Sequence, residues 1–158
     1  MMMNIDTGIA KTDREDIAET LMHVLADTYS LYLKTQGCHW NIVGSEFPQL
    51  HEMFESQYRE LADAVDVIAE RIRALASAAP ASFAEFARLS SIPDKDDAPE
   101  AREMLRRLLD GHEMLTRVTR MAVPRAAQAD DYVTVDVLTE RMRAHEQAAW
   151  MLRSTIHA

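Results

Sequence analysis

The sequence predicts an all-α fold, a four-helix bundle with a short extra helix in one long crossover, and three observations lead there. Alanine, leucine, methionine, arginine and glutamate, all strong helix formers, dominate, and only four glycines and five prolines interrupt the 158 residues. Apolar positions recur at helical spacing over four long segments. Between the second and third segments lies AAPASFAEFARLSSIPDKDDAP, too long for a plain turn between neighbouring helices. The length suits one domain with its own core, as do 47% hydrophobic and 27% charged residues.

The first helix is expected from about Asp13, a plausible N-cap, to Cys38. Its apolar face is Ile17, Leu21, Val24, Leu25, Thr28, Leu31 and Tyr32. Residues 1–12 read as a flexible tail and 13–158 as the bundle domain. Gly44 and Pro48 punctuate the break NIVGSEFP. Ser45 is a candidate cap for a second helix over Glu46 to Ala78, with Pro48 in its first turn, where a missing N–H does little harm. SFAEFARL within the crossover reads as a short amphipathic helix. A third long helix follows from about Pro99 to Arg120 or a little beyond. The polar stretch PRAAQADD leads to the last, Tyr132 to Ile156. Four helices with a long second-to-third crossover have ferritin-type connectivity.

Net charge is −9, a surface that attracts cations and repels nucleic acid unless a basic arm intervenes. The N-terminal stretch lacks the basic and apolar regions of a signal peptide, and no window approaches a membrane span. The single cysteine, Cys38, forms no internal disulfide, so a reducing cytoplasm is the default expectation.

Chemistry concentrates in the second helix. At about 100° per residue, His51, Glu55, Asp66 and Glu70 fall at about 0°, 40°, 60° and 100°, one stripe. His51 with Glu55 and Asp66 with Glu70 are i, i+4 pairs, each able to offer two ligands, and His39 ends the preceding helix. Imidazole with carboxylates suits Fe(II), Mn(II) or Zn(II). Distance then decides. Glu55 and Asp66 are separated by about 16 Å along the axis and His51 and Asp66 by about 22 Å, against metal–ligand bonds of about 2 Å. These residues cannot share one ion within one chain. They are either unrelated half-sites, or a two-fold axis sets an antiparallel copy of the helix alongside, the His51–Glu55 end of one facing the Asp66–Glu70 end of the other. Glu-x-x-His, the intra-bundle di-iron motif, is absent: Thr20, Gln36, Pro48, Leu109, Met142 and Ser154 stand three residues before the histidines. A solvated acidic face and a histidine packed on Trp40 are the plainer readings of the separate parts.

The combined pattern of His39-Trp40-Asn41, His51, Glu55, Asp66 and Glu70, with DVIAERI, SFAEFARLSSI and HEQAAWMLRS, resembles the Dps family, the miniature ferritins named for DNA protection during starvation. The likeness covers nearly the whole chain after about residue 13. It implies a ferritin-like four-helix-bundle subunit in a hollow twelve-subunit shell built from two-fold dimers, in the bacterial cytoplasm or nucleoid. It also implies ferroxidase centres at the dimer interfaces, two irons each, with His39, His51 and Glu55 from one chain and Asp66 and Glu70 from the other. Glu55 stands where members commonly have aspartate. The implied reaction oxidises Fe(II), preferably with hydrogen peroxide and otherwise dioxygen, and stores Fe(III) mineral, protecting the cell from oxidative stress. Trp40 is a candidate sacrificial electron donor, with interface packing the competing role. Asp136 and then Asp131 are candidates for the acidic lining of three-fold pores, against a plain helix-capping role.

Two other readings remain open. Members of the family also bind and compact DNA, often through a lysine-rich tail. The first sixteen residues here set Lys11 and Arg14 against Asp6, Asp13, Glu15 and Asp16, and RSTIHA closes the chain, so direct DNA binding is expected to be weak. A metal-sequestering cage without redox turnover is the other. His23, His112, His145 and terminal His157 are expected to be packing, structural or surface residues, and Cys38 to be buried packing.

Overall fold

The computed structural model describes residues 5–156, and five helices account for most of them: α1 Lys11–Asn41, α2 Phe47–Ala74, α3 Phe83–Leu89, α4 Ala101–Gln128 and α5 Tyr132–Ile156. α1, α2, α4 and α5 form the bundle, and α3 packs against α1 from within the crossover. The core is a single cluster that includes Ile17, Leu21, Leu25, Leu31, Phe54, Leu61, Ile68, Leu108, Leu115, Leu138 and Leu152. On α2 the buried set is Leu50, Phe54, Gln57, Leu61, Ala64, Ile68 and Ile72, a face centred about 140° from the His51–Glu70 stripe. That stripe therefore points away from its own bundle.

Several boundaries differ from the sequence expectation. Helix α1 starts two residues before Asp13, behind Ala10, and no side chain caps it. Asp13 instead joins Asp16 in gripping Arg125 of α4, each at 2.8 Å. Of the expected tail, residues 1–4 lie outside the described residues, Lys11 and Thr12 are helical, and Arg14 donates to the carbonyls of Ile9 at 2.7 Å and Ile5 at 3.4 Å. Ser45 does not cap α2, whose N-cap position is Glu46, again without a side-chain bond; Pro48 does sit in the first turn.

Helix α2 stops at Ala74, short of Ala78, because Ala76 turns left-handed at φ 71°. The N–H groups of Ala76 and Ser77 close on the carbonyls of Arg73 and Ile72 at 2.9 and 3.2 Å, a Schellman ending in which a residue with a Cβ fills the place usually taken by glycine. Helix α4 outlasts the Arg120 estimate and runs through Pro124 to Gln128. The missing proline N–H leaves the carbonyl of Arg120, an exposed residue, to solvent. α4 then ends in the same motif at Asp130, φ 53°. The capping box predicted by no periodicity is at α3: Ser82 Oγ accepts from the Glu85 N–H at 3.2 Å, and Glu85 accepts from the Ser82 hydroxyl at 2.9 Å.

Candidate metal centre

α1 delivers His39 from its last turn, and α2 delivers His51 from its first. The break between them folds back so that the rings stack, centroids 3.7 Å apart and planes within 17°. Nδ1 of His39 donates to the His51 carbonyl, and Nδ1 of His51 donates to the His39 carbonyl, both at 2.8 Å. A carbonyl can only accept, so each neutral ring carries its proton on Nδ1 and keeps a lone pair on Nε2. Bonds of this kind orient the imidazoles of metal sites in general, and here the backbone supplies both. His39 is buried and His51 half-buried.

One turn on, Glu55 has its pKa lowered, chiefly by its hydrogen bonds from Arg59. Arg59 Nε and Nη2 both donate to Glu55 Oε1, at 2.9 and 2.6 Å. Oε2 is left free among the described residues. Asp66 and Glu70 are exposed, about three and four turns further along, with no ion-pair or hydrogen-bond partner among the described residues. No group of three His, Cys, Asp or Glu within the described chain is placed to hold a metal. The single chain thus offers two half-sets, His39–His51–Glu55 and Asp66–Glu70, at opposite ends of one outward stripe. Their donor chemistry fits a divalent iron: two imidazole lone pairs already aimed, and carboxylates to balance charge.

Trp40 is 62% exposed and is not the aromatic that holds the histidines. Tyr58 sits edge-on to His39 at 5.2 Å, and Phe47 stacks on His51 at 4.9 Å. Both stand on the same side of α2 as His51, seven residues after and four before it, a helical spacing that could have singled them out. Trp40, Val43, Phe47 and Val67 leave large apolar side chains exposed around the two half-sets.

The two pore candidates part company. Asp136 is exposed. Asp131 is buried at 2% and committed within its own chain. It accepts from the Thr134 N–H at 3.0 Å as the cap of α5, and it pairs with Arg71 at 2.8 Å.

A second histidine pair, not anticipated as a pair, lies in the bundle core. His112 and His145 are 1% and 0% exposed, with Nδ1 atoms 3.0 Å apart. Arg141, held by Glu60, donates to His145 Nε2 at 3.5 Å. His145 then donates through Nδ1, and the proton of His112 rests on Nε2, which has no partner. Burial holds both imidazoles neutral, lowering His112 to about 3 and His145 well below its ordinary value. His23 is exposed, with Nδ1 on the Leu89 carbonyl; His157 lies outside the described residues. Cys38 is buried, and burial raises its thiol to about 11.

Residues 18–158 match the ferritin-like domain family. A low temperature-induced protein of Nostoc, itself uncharacterised, is 38% identical over 98% of this chain and 88% of its own length. DNA protection during starvation protein 2 of Bacillus anthracis is 32% identical over 90% of this chain and 98% of its own. The crystal structure of the Dps protein of Vibrio cholerae, described as one of the ferritin-like diiron-carboxylate proteins, superposes with a TM-score of 0.92 at 30% identity, covering 99% of this chain and 98% of that one. No helix among the described residues is long and apolar enough to cross a membrane.

Proposed function

The chain belongs to the Dps family of ferritin-like proteins, and from that premise we propose that it is a ferroxidase and iron store whose catalytic centre is shared between two copies. The observation that carries the proposal is the outward stripe of α2, with two pre-aimed imidazoles and Glu55 at one end and two unpartnered carboxylates at the other. An antiparallel second copy brings opposite ends together twice, and the exposed Phe47 and Val67 give that contact an apolar component. Twelve such chains, paired in this way, form the shell.

Fe(II) is the substrate. Neutral Nε2 lone pairs of His39 and His51 receive it without surplus charge, while Glu55, Asp66 and Glu70 favour the trivalent product electrostatically. Two Fe(II) held together give one electron each to a single peroxide. Its O–O bond breaks with both electrons accounted for, no hydroxyl radical is released, and protons leave as the ferric product hydrolyses to mineral. The acidic balance of the chain gathers the cation, and Asp136 is the pore candidate that remains exposed. Trp40, in the next position to His39, is assigned as a sacrificial electron donor to the centre: where only one Fe(II) is bound, the iron and the indole give peroxide one electron each, leaving a tryptophan radical in place of hydroxyl radical.

The test is anaerobic loading with Fe(II) followed by peroxide, read as ferric absorbance and residual peroxide. The proposal requires two Fe(II) oxidised per peroxide and loss of the fast phase in both His51→Ala and Asp66→Ala. A cage that only sequesters iron would bind it without the absorbance rise.

The name of the Bacillus anthracis relative supports a second reading, direct binding of DNA. Lys11 is paired with Glu15 at 3.6 Å and Arg14 is spent on two carbonyls, so few mobile cations are on offer near the start of α1. Protection of DNA by removing iron and peroxide needs no contact with it. A gel shift at two salt concentrations separates the two: tight binding with a steep salt slope would establish direct contact.

A further inference from the structure

Arg59 is the one cation on the α2 stripe between its two half-sets. It falls at about 80°, between Asp66 and Glu70 in angle, and between Glu55 and Asp66 along the axis. Two of its three donor nitrogens, Nε and Nη2, converge on Glu55 Oε1 at 2.9 and 2.6 Å. Its guanidinium carbon lies 5.7 Å from the ring centre of Tyr58, the residue that buttresses His39. Arg59 is thus tied to both the carboxylate and the aromatic support of the same half-site, although it is itself exposed.

We propose that Arg59, the counter-ion of Glu55, is a resident positive charge beside the metal centre that discriminates by charge, opposing the trivalent product more strongly than the divalent substrate. The inference rests on the reading of His39, His51 and Glu55 as ligands. An ion on the free Oε2 of Glu55 would sit about 6 Å from the guanidinium, given a metal–oxygen bond of about 2 Å. At that separation in water a fixed unit charge weakens binding by about threefold for each unit of charge on the incoming cation. The penalty is about tenfold for a divalent ion and about thirtyfold for a trivalent one, and salt reduces both. A ferroxidase must take up Fe(II) and then let Fe(III) go to the mineral, and carboxylates alone would retain the product. The arginine biases the site toward turnover rather than toward affinity.

Zn(II) and Tb(III), redox-inert probes of the two charges, test this by calorimetric titration of the assembled full-length protein at low salt, with no oxidant present. The component lost in His51→Ala identifies the centre. Arg59→Leu is expected to tighten Zn(II) about tenfold and Tb(III) about thirtyfold. Arg59→Lys, which keeps the charge, is expected to stay near the parent values. Unchanged binding, weaker binding, or equal tightening of the two ions in Arg59→Leu would overturn the discrimination and leave the ligand set standing. Full retention of every binding component in His51→Ala would overturn the ligand set itself, and the role of Arg59 with it.

Discussion

His39 and His51, twelve residues apart, each donate Nδ1–H to the other's main-chain carbonyl at 2.8 Å. The relationship is reciprocal but not circular, because each bond ends on backbone. Deleting one side chain leaves the other ring still anchored and still presenting Nε2.

Single replacements should therefore damage chemistry more than folding. His39→Ala and His51→Ala are each expected to slow Fe(II) oxidation by at least about tenfold, as loss of ligands or of their support does. The stability change should stay within about 3 kcal/mol, the usual range for one residue. Stopped-flow absorbance and chemical denaturation of the same preparations would check both halves of that statement. A variant that unfolds outright, or one that oxidises iron at the parent rate, contradicts it.

The core pair His112 and His145 makes a prediction about acid. Both are neutral in the fold, their pKa values depressed chiefly by burial, whereas in the unfolded chain they titrate near 6.5. The unfolded state therefore binds more protons below about pH 6.5, and stability must fall as pH drops from there toward about 3 for His112. At pH 5 the loss is about 2 kcal/mol for His112, and His145 adds to it in the same direction. Denaturation midpoints between pH 7.5 and 5 should show this slope, and the double variant His112→Leu, His145→Leu should flatten it. An unchanged slope in the double variant would assign the acid sensitivity to other groups.

Cys38 directly precedes His39 of the candidate centre yet is predicted to be inert. It is buried, and its thiol is raised to about 11, so almost none is thiolate at neutral pH and the reactive form is scarce. Native protein should take up no thiol reagent on the timescale of minutes at pH 7, and one equivalent per chain once unfolded. Peroxide should leave the thiol titre unchanged while iron is being oxidised, and Cys38→Ala should retain the oxidation rate.

The four long helices were legible because each buries one face and repeats its apolar residues accordingly. Asp13 and Ser45 misled because a capping side chain is only one way to satisfy a helix start. Asp13 is used tertiarily, by Arg125, more than a hundred residues on in the chain. Pro124 misled because local rules penalise proline inside a helix, and its tolerance depends on the exposure of Arg120, a property of the bundle. At the candidate centre, the spacing of His39, His51 and Glu55 was enough to group them. The mutual carbonyl bonds, the Tyr58 support and the Arg59 clamp each required knowing how α1 and α2 meet. Asp131 shows the reverse: an acidic residue near a helix start was readable as pore or cap, and its burial against Arg71 and Thr134 shows the cap.

The axial separation of Glu55 and Asp66, about 16 Å on one helix, leads to the most demanding prediction. If each centre takes His51 from one chain and Asp66 from the other, chains carrying His51→Ala and chains carrying Asp66→Ala are both inactive alone. Paired in one dimer, they form one centre that lacks both residues and one that lacks neither. Disassembling the two variants, mixing them in equal amounts and reassembling should place half of the chains in mixed pairs. About a quarter of the parent number of centres is then intact, from the statistics of random pairing of antiparallel two-fold partners. Iron oxidation should recover in that proportion, and the recovery should be absent when both substitutions are placed on the same chain and mixed with itself. No recovery from a properly reassembled mixture would mean that His51 and Asp66 serve separate sites, and a shared centre would have to be abandoned.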